Sequence, residues 1–122
     1  IMAYYSDIAV VMNKRKYIEL LKAIHSISDR KLKHDVIGLM KFAVIKKSPA
    51  NNWIALKWLN RKWYVHEYAD VEFLDKFFDK LVDEEPKNNY RIIRIGEDYD
   101  DIEIFGSCNV GISLERSIKV EF

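Results

Sequence analysis

Two helix-spaced apolar stripes set among short apolar runs predict an α+β protein. The order of these elements reads as a ferredoxin-like βαββαβ core with extra C-terminal strands, in which helices cover one face of an antiparallel-rich sheet. Length and composition agree. The chain has 122 residues, 49% of them hydrophobic and 13% aromatic, enough for one core, so residues 1–122 are expected to form a single domain. No internal repeat, low-complexity run or linker interrupts it.

Residues 6–12 (SDIAVVM) are apolar and rich in β-branched side chains, which predicts a buried strand. Asn13 suits the N-cap of a helix over residues 14–27. Tyr17, Ile18, Leu21 and Ile24 recur there at helical spacing, and Leu20 widens the stripe. Ser28 or Asp29 can cap a second helical segment over 30–40, with Leu32, Val36, Ile37 and Met40 as its apolar side and Gly38 as its weak point. Residues 42–45 (FAVI) and 53–59 (WIALKWL) read as a hairpin joined by turn-forming residues at 48–52. Asp70 is the expected N-cap of a helix over 71–84, with Val71, Leu74, Phe78, Leu81 and Val82 on its apolar face, widened by Phe73 and Phe77, and Pro86 beyond its end. Residues 91–95 and 102–105 read as strands around a tight acidic connection. Residues 106–109 and Gly111 read as loop. Residues 117–122 (SIKVEF) alternate apolar and charged, predicting a half-exposed final strand at an edge or closing the sheet. The expected core is Ile8, Val10, Leu21, Ile24, Leu56, Leu74, Phe78, Leu81, Ile93 and Ile95.

The net charge of +1 hides a split. Residues 1–67 hold 13 Lys and Arg against 5 Asp and Glu; residues 68–122 hold 7 against 14. Interleaving of the two halves in space would neutralise this, whereas separation would create a contact face. Two helix ends also carry charge of the wrong sign for the helix dipole. Lys14, Arg15 and Lys16 begin the first helix; Asp83, Glu84 and Glu85 end the last. Ile1 stands before Met2 and reads as an added residue. Asp7 and the polar residues 4–6 do not suit a signal peptide, and no apolar run is long enough to span a bilayer, so a cytoplasmic protein without a membrane partner is expected. The lone Cys108 excludes an internal disulfide.

The densest constellation is the acidic connection: Glu97, Asp98, Asp100, Asp101 and, just inside the second strand, Glu103. Carboxylates so close can bind Mg²⁺ or Ca²⁺, or meet a basic protein surface, or simply keep a hairpin tip solvated and its edge unpaired. The spacing lacks the alternating ligands and central Gly of a calcium loop. Asp100-Asp101 after a tyrosine is similar to the paired aspartates of a polymerase palm hairpin, but over two residues alone. A second constellation mixes aromatic and basic side chains: Lys14, Arg15 and Lys16, with Arg61, Lys62, Trp63 and Tyr64. Such a mixture suits single-stranded nucleic acid. The Gly/aromatic octapeptide of RNA-recognition modules is absent. His25, His34 and His66 lack metal-ligand spacing, and no nucleophile, phosphate-loop or dinucleotide motif occurs. No catalytic residue, metal or cofactor is therefore assigned.

Three pieces together, SDIAVVM before a helix, KWY with the later Tyr68, Asp70, Val71 and Phe73, and RIGEDYDDIE with Gly106 and the terminal alternation, resemble small proteins of tailed phages and prophages, most of which carry no assigned function. The lysine-, isoleucine-, asparagine- and tyrosine-rich usage fits an AT-rich phage genome. The resemblance implies an accessory protein acting in the host cytoplasm, binding and inhibiting or modulating one host protein, in the manner of anti-CRISPR and other anti-defence proteins. The expected partner is a host protein with a basic surface, met by the acidic hairpin. A nucleic-acid-binding protein using the basic half is the alternative, and a metal-dependent nuclease the second.

Overall fold

Side chains alternate across the central strand β1 (Ser6–Asn13), and that alternation divides the molecule into two sides. Ile8, Val10 and Met12 enter the main core, while Ala9 and Val11 point to the opposite face. The computed structural model describes residues 4–48, 52–108, 112–114 and 118–120. After β1 come α1 (Lys14–His25), α2 (Arg30–Lys41), β2 (Val44–Lys47), β3 (Trp53–Arg61), α3 (Ala69–Glu84), a 3₁₀ turn (Lys87–Asn89), β4 (Arg91–Gly96), β5 (Ile102–Gly106), β6 (Ile112–Leu114) and β7 (Ile118–Val120). Residues 1–3, 49–51, 109–111, 115–117 and 121–122 lie outside the described residues. So do Ile1, the middle of the predicted 48–52 turn, part of the predicted 106–111 loop and the ends of the predicted last strand.

The chain is a mixed α+β protein with an open five-stranded sheet in the order β2-β3-β1-β4-β5, every neighbouring pair antiparallel. Three helices supply Leu20 and Ile24, Val36 and Leu39, and Val71, Leu74, Phe78 and Leu81 to one core with the even-numbered side chains of β1 and β3, so all three cover the same face. The sequence predicts that one-faced cover. It differs from a simple βαββαβ series in having a full second helix between α1 and β2 and a fifth strand beyond β4. Of the predicted tail strands, β5 extends the sheet beside β4, whereas the last strand does not join it. β6 and β7 form a separate two-stranded ribbon, with β7 near β1. β6 falls outside the elements predicted from sequence.

Local signals explain most boundaries. Asn13 accepts from the backbone N–H of Lys16 at 2.9 Å, and Asp29 accepts from Lys31 and Leu32, so both predicted caps form. Asp70 does not cap α3. The helix begins two residues earlier, behind Tyr68, and Asp70 sits within its first turn, where a carboxylate suits the dipole. The first hairpin strand starts at Val44 instead of 42, because Phe42 closes the C-terminus of α2. Trp58 fixes α2 against the sheet: its indole N–H donates to Leu39 O at 2.9 Å in the buried core. Of the expected core, Leu21 is misplaced, at 37% exposure, while Leu20 is buried. The inward face of α1 runs through Lys16, Leu20 and Ile24, so an inward lysine stem disguised the stripe. Among the described residues no helix is long and apolar enough to cross a membrane.

Candidate functional site at the acidic end of the sheet

Strand register builds the site. Arg94 on β4 stands opposite Glu103 on β5, on the helix-covered face, and receives carboxylates from two sides. Its guanidinium donates to Glu103 Oε1 at 2.6 and 2.9 Å and to both oxygens of Asp101, which curls back from the connection. Tyr4, from the segment before β1, donates its hydroxyl to Asp101 Oδ2 at 2.5 Å and accepts the backbone N–H of Asp98 at 3.1 Å. Tyr5 N–H donates to Glu97 Oε1 at 2.9 Å. Gly96 makes room for this crossing, since a Cβ there would lie 2.0 Å from Asp101 Oδ2 and 2.3 Å from the Tyr4 oxygen.

The electrostatics follow from these contacts. The hydrogen bonds from Arg94 and then Tyr4 hold the Asp101 carboxyl below the ordinary carboxylate range. Asp101 and Glu103 in turn raise the Arg94 guanidinium, and donation to Asp101 raises the Tyr4 phenol. The five sequence-predicted carboxylates thus divide. Glu97, Asp101 and Glu103 are tied into the fold; Asp98 and Asp100 are exposed at the tip without a side-chain partner among the described residues.

Beside the hairpin, on the same face, lies a groove of about 250 Å³ between α3 and the β4–β5 pair. Phe78, Val82, Ile92 and Phe105 make it apolar, and Asp75, Asp79, Asp83 and Glu103 rim it. The three aspartates stand at i, i+4 and i+8 of α3, a spacing at which like charges oppose one another. Ion pairs within α3 lie elsewhere on its surface, between Glu72 and Lys76 and between Lys80 and Glu84. Burial raises the Asp75 carboxyl, assisted by Asp79 and opposed by a hydrogen bond with Trp63. Sequence reasoning missed this row, although its four-residue spacing inside a predicted helix was visible.

The basic and aromatic candidates do not assemble into one surface. Lys16 is buried and bound to Glu19 at 2.9 Å and Glu84 at 3.4 Å, so its ammonium is engaged within the fold. Arg15 pairs with Glu85 at 2.7 Å, while Lys14 is exposed. Arg61 lies over the Phe42 ring at 4.0 Å, and Lys62 lies 6.0 Å from the Tyr5 ring. Trp63 packs against the core beside Trp58 at 5.4 Å, so it is no free platform. Tyr64 stacks on Tyr68, and its oxygen accepts the Tyr4 N–H at 2.6 Å. Cys108 is buried on the back face with Ala9, Val11 and Ile93. His25, His34 and His66 are exposed at separate places. Among the described residues no group of three or more His, Cys, Asp or Glu is placed to hold a metal ion. No protein-family model matches the chain, and no match is found among curated proteins or solved structures.

Proposed function

We propose that this chain is a binding module without a catalytic step, which inhibits or modulates another protein by presenting the acidic β4–β5 end of its sheet to a basic surface. The observation that carries this reading is the division of the carboxylates. Arg94, Tyr4 and the Tyr5 amide hold Asp101, Glu103 and Glu97, so the connection is braced, while Asp98 and Asp100 stay exposed at its tip. A braced loop loses little entropy on binding, and exposed charge on it steers a complementary partner. The strand succession β2-β3-β1-β4 supports a ferredoxin-like core to which α2 and β5 are additions. The resemblance to small tailed-phage proteins supports a host protein as partner and anti-CRISPR or other anti-defence action as the setting.

The test is affinity capture from a bacterial host lysate with the native chain and with Asp98→Lys/Asp100→Lys. Both sites are exposed, so the two proteins should melt within a few degrees of one another. The reversed protein should lose the species that the native chain retains, with affinity at least about tenfold weaker once that species is purified. Equal capture by a folded double variant would remove the hairpin tip from the contact surface.

A further inference from the structure

The outer strand beside the groove has an open side. β5 ends the sheet order, and among the described residues it is closed at its C-terminal end, where Ser107 N–H donates to Lys87 O at 2.7 Å. Residues 102–105 therefore present one side of their backbone with no strand beyond it among the described residues. Their side chains alternate. Ile102 and Ile104, opposite Ile95 and Ile93, lie on the back face and are 38% and 44% exposed. Glu103 and Phe105, opposite Arg94 and Ile92, lie on the groove face, and Phe105 is 44% exposed. The other edge strand, β2, carries Lys46 and Lys47, the kind of charge that discourages strand pairing, whereas β5 carries no cation.

Charge selects the occupant. Asp75, Asp79, Asp83 and Glu103 face the groove with one cation, Arg94, which Asp101 and Glu103 already engage. We propose that the free edge of β5, with the groove beside it, takes an extended segment of a partner protein by antiparallel strand addition, its basic side chains on the groove face and its aliphatic side chains on the back face. This rests on the acidic end being the contact surface, and it specifies the partner's chemistry. The added backbone would supply the hydrogen bonds, and the alternation of its side chains the selectivity. Lysine or arginine stems would lie along Phe78, Val82 and Phe105, with their charged ends at Asp79 and Asp83. Aliphatic side chains on the other face would cover Ile102 and Ile104.

The probe is a capped seven-residue peptide alternating lysine and valine, added to the full ¹⁵N-labelled chain. Binding should be saturable and should shift the amide signals of Ile102, Glu103, Ile104 and Phe105. A peptide with glutamate in place of lysine, and one with alternate backbone nitrogens methylated on the pairing edge, should each bind at least about tenfold more weakly. Asp79→Asn/Asp83→Asn should weaken the lysine–valine peptide by a similar factor at a melting temperature no lower than that of the native chain. Absence of saturable binding, or equal binding of the methylated peptide, overturns strand addition. So does sedimentation showing that copies of the chain pair through this edge and exclude the peptide. If the peptide fails while Asp98→Lys/Asp100→Lys still abolishes capture, the acidic hairpin remains the contact and only the strand-addition mode falls.

Discussion

Asp101 is the residue on which the acidic end turns. It lies one position beyond Asp100 in a run of similar carboxylates, yet it alone faces both Arg94 and Tyr4. Its folded-state pKa is depressed, so its stabilising contribution is present above the unfolded-state value and is lost as pH falls through the folded-state value. Asp75 has the opposite sign: burial raises it, so its contribution is fullest below the unfolded-state pKa and fades as pH rises. Replacing Asp101 with asparagine should cost about 1–2 kcal/mol near pH 7, the low end for charged hydrogen bonds because the pair is partly exposed. Urea melts across the acid range should show that deficit shrinking as the native carboxylate itself becomes protonated. A deficit independent of pH would assign the loss to shape instead of charge.

Two helix ends that look ill-charged one at a time become intelligible as a pair. The cations at the start of α1 and the carboxylates at the end of α3 meet: Arg15 with Glu85 at 2.7 Å, and Lys16 with Glu84 at 3.4 Å and Glu85 at 3.8 Å. Hydrogen bonding to Glu19 is the largest influence raising the Lys16 ammonium, and it lowers Glu19 in return. The Glu85 side chain is only 7% exposed, so its charge is held away from water. Glu85→Gln should destabilise the protein by about 1–3 kcal/mol, since a buried charged acceptor is removed from two cations. High salt should erase little of that difference, because screening acts weakly on a buried group. A variant indistinguishable from the native chain in thermal melts would make the contact decorative.

Across the whole molecule the charge split survives in the sheet and is cancelled in the helix layer. β2 and β3, from the basic half, occupy one end of the sheet, and β4 and β5, from the acidic half, the other. The two halves interleave where α1 meets α3. The basic residues are either paired or scattered among separate elements, so phosphate contacts cannot accumulate along one track. Binding to single-stranded DNA or RNA should therefore stay weaker than about 10 µM at physiological salt, within the non-specific range. Fluorescence anisotropy over a salt series checks this. Sub-micromolar affinity with a steep salt slope would restore the nucleic-acid reading.

Local information was enough for the kind and order of most elements. The caps Asn13 and Asp29, the spacing of Leu74, Phe78 and Leu81, and the two strands flanking the acidic connection all act within a few residues, where periodicity and capping chemistry operate. Only the tertiary structure decided which side chains are free. Tyr4 reaches Asp101 across 97 positions, and Arg15 reaches Glu85 across 70. Whether Leu20 or Leu21 faces the core depends on the exact rotation of α1, which the inward stem of Lys16 helps to occupy. The groove exists because α3 and the β4–β5 pair lie side by side, a relation set by strand order. Strand order and register are long-range packing outcomes, and no local pattern of residue types encodes which carboxylate will meet which cation.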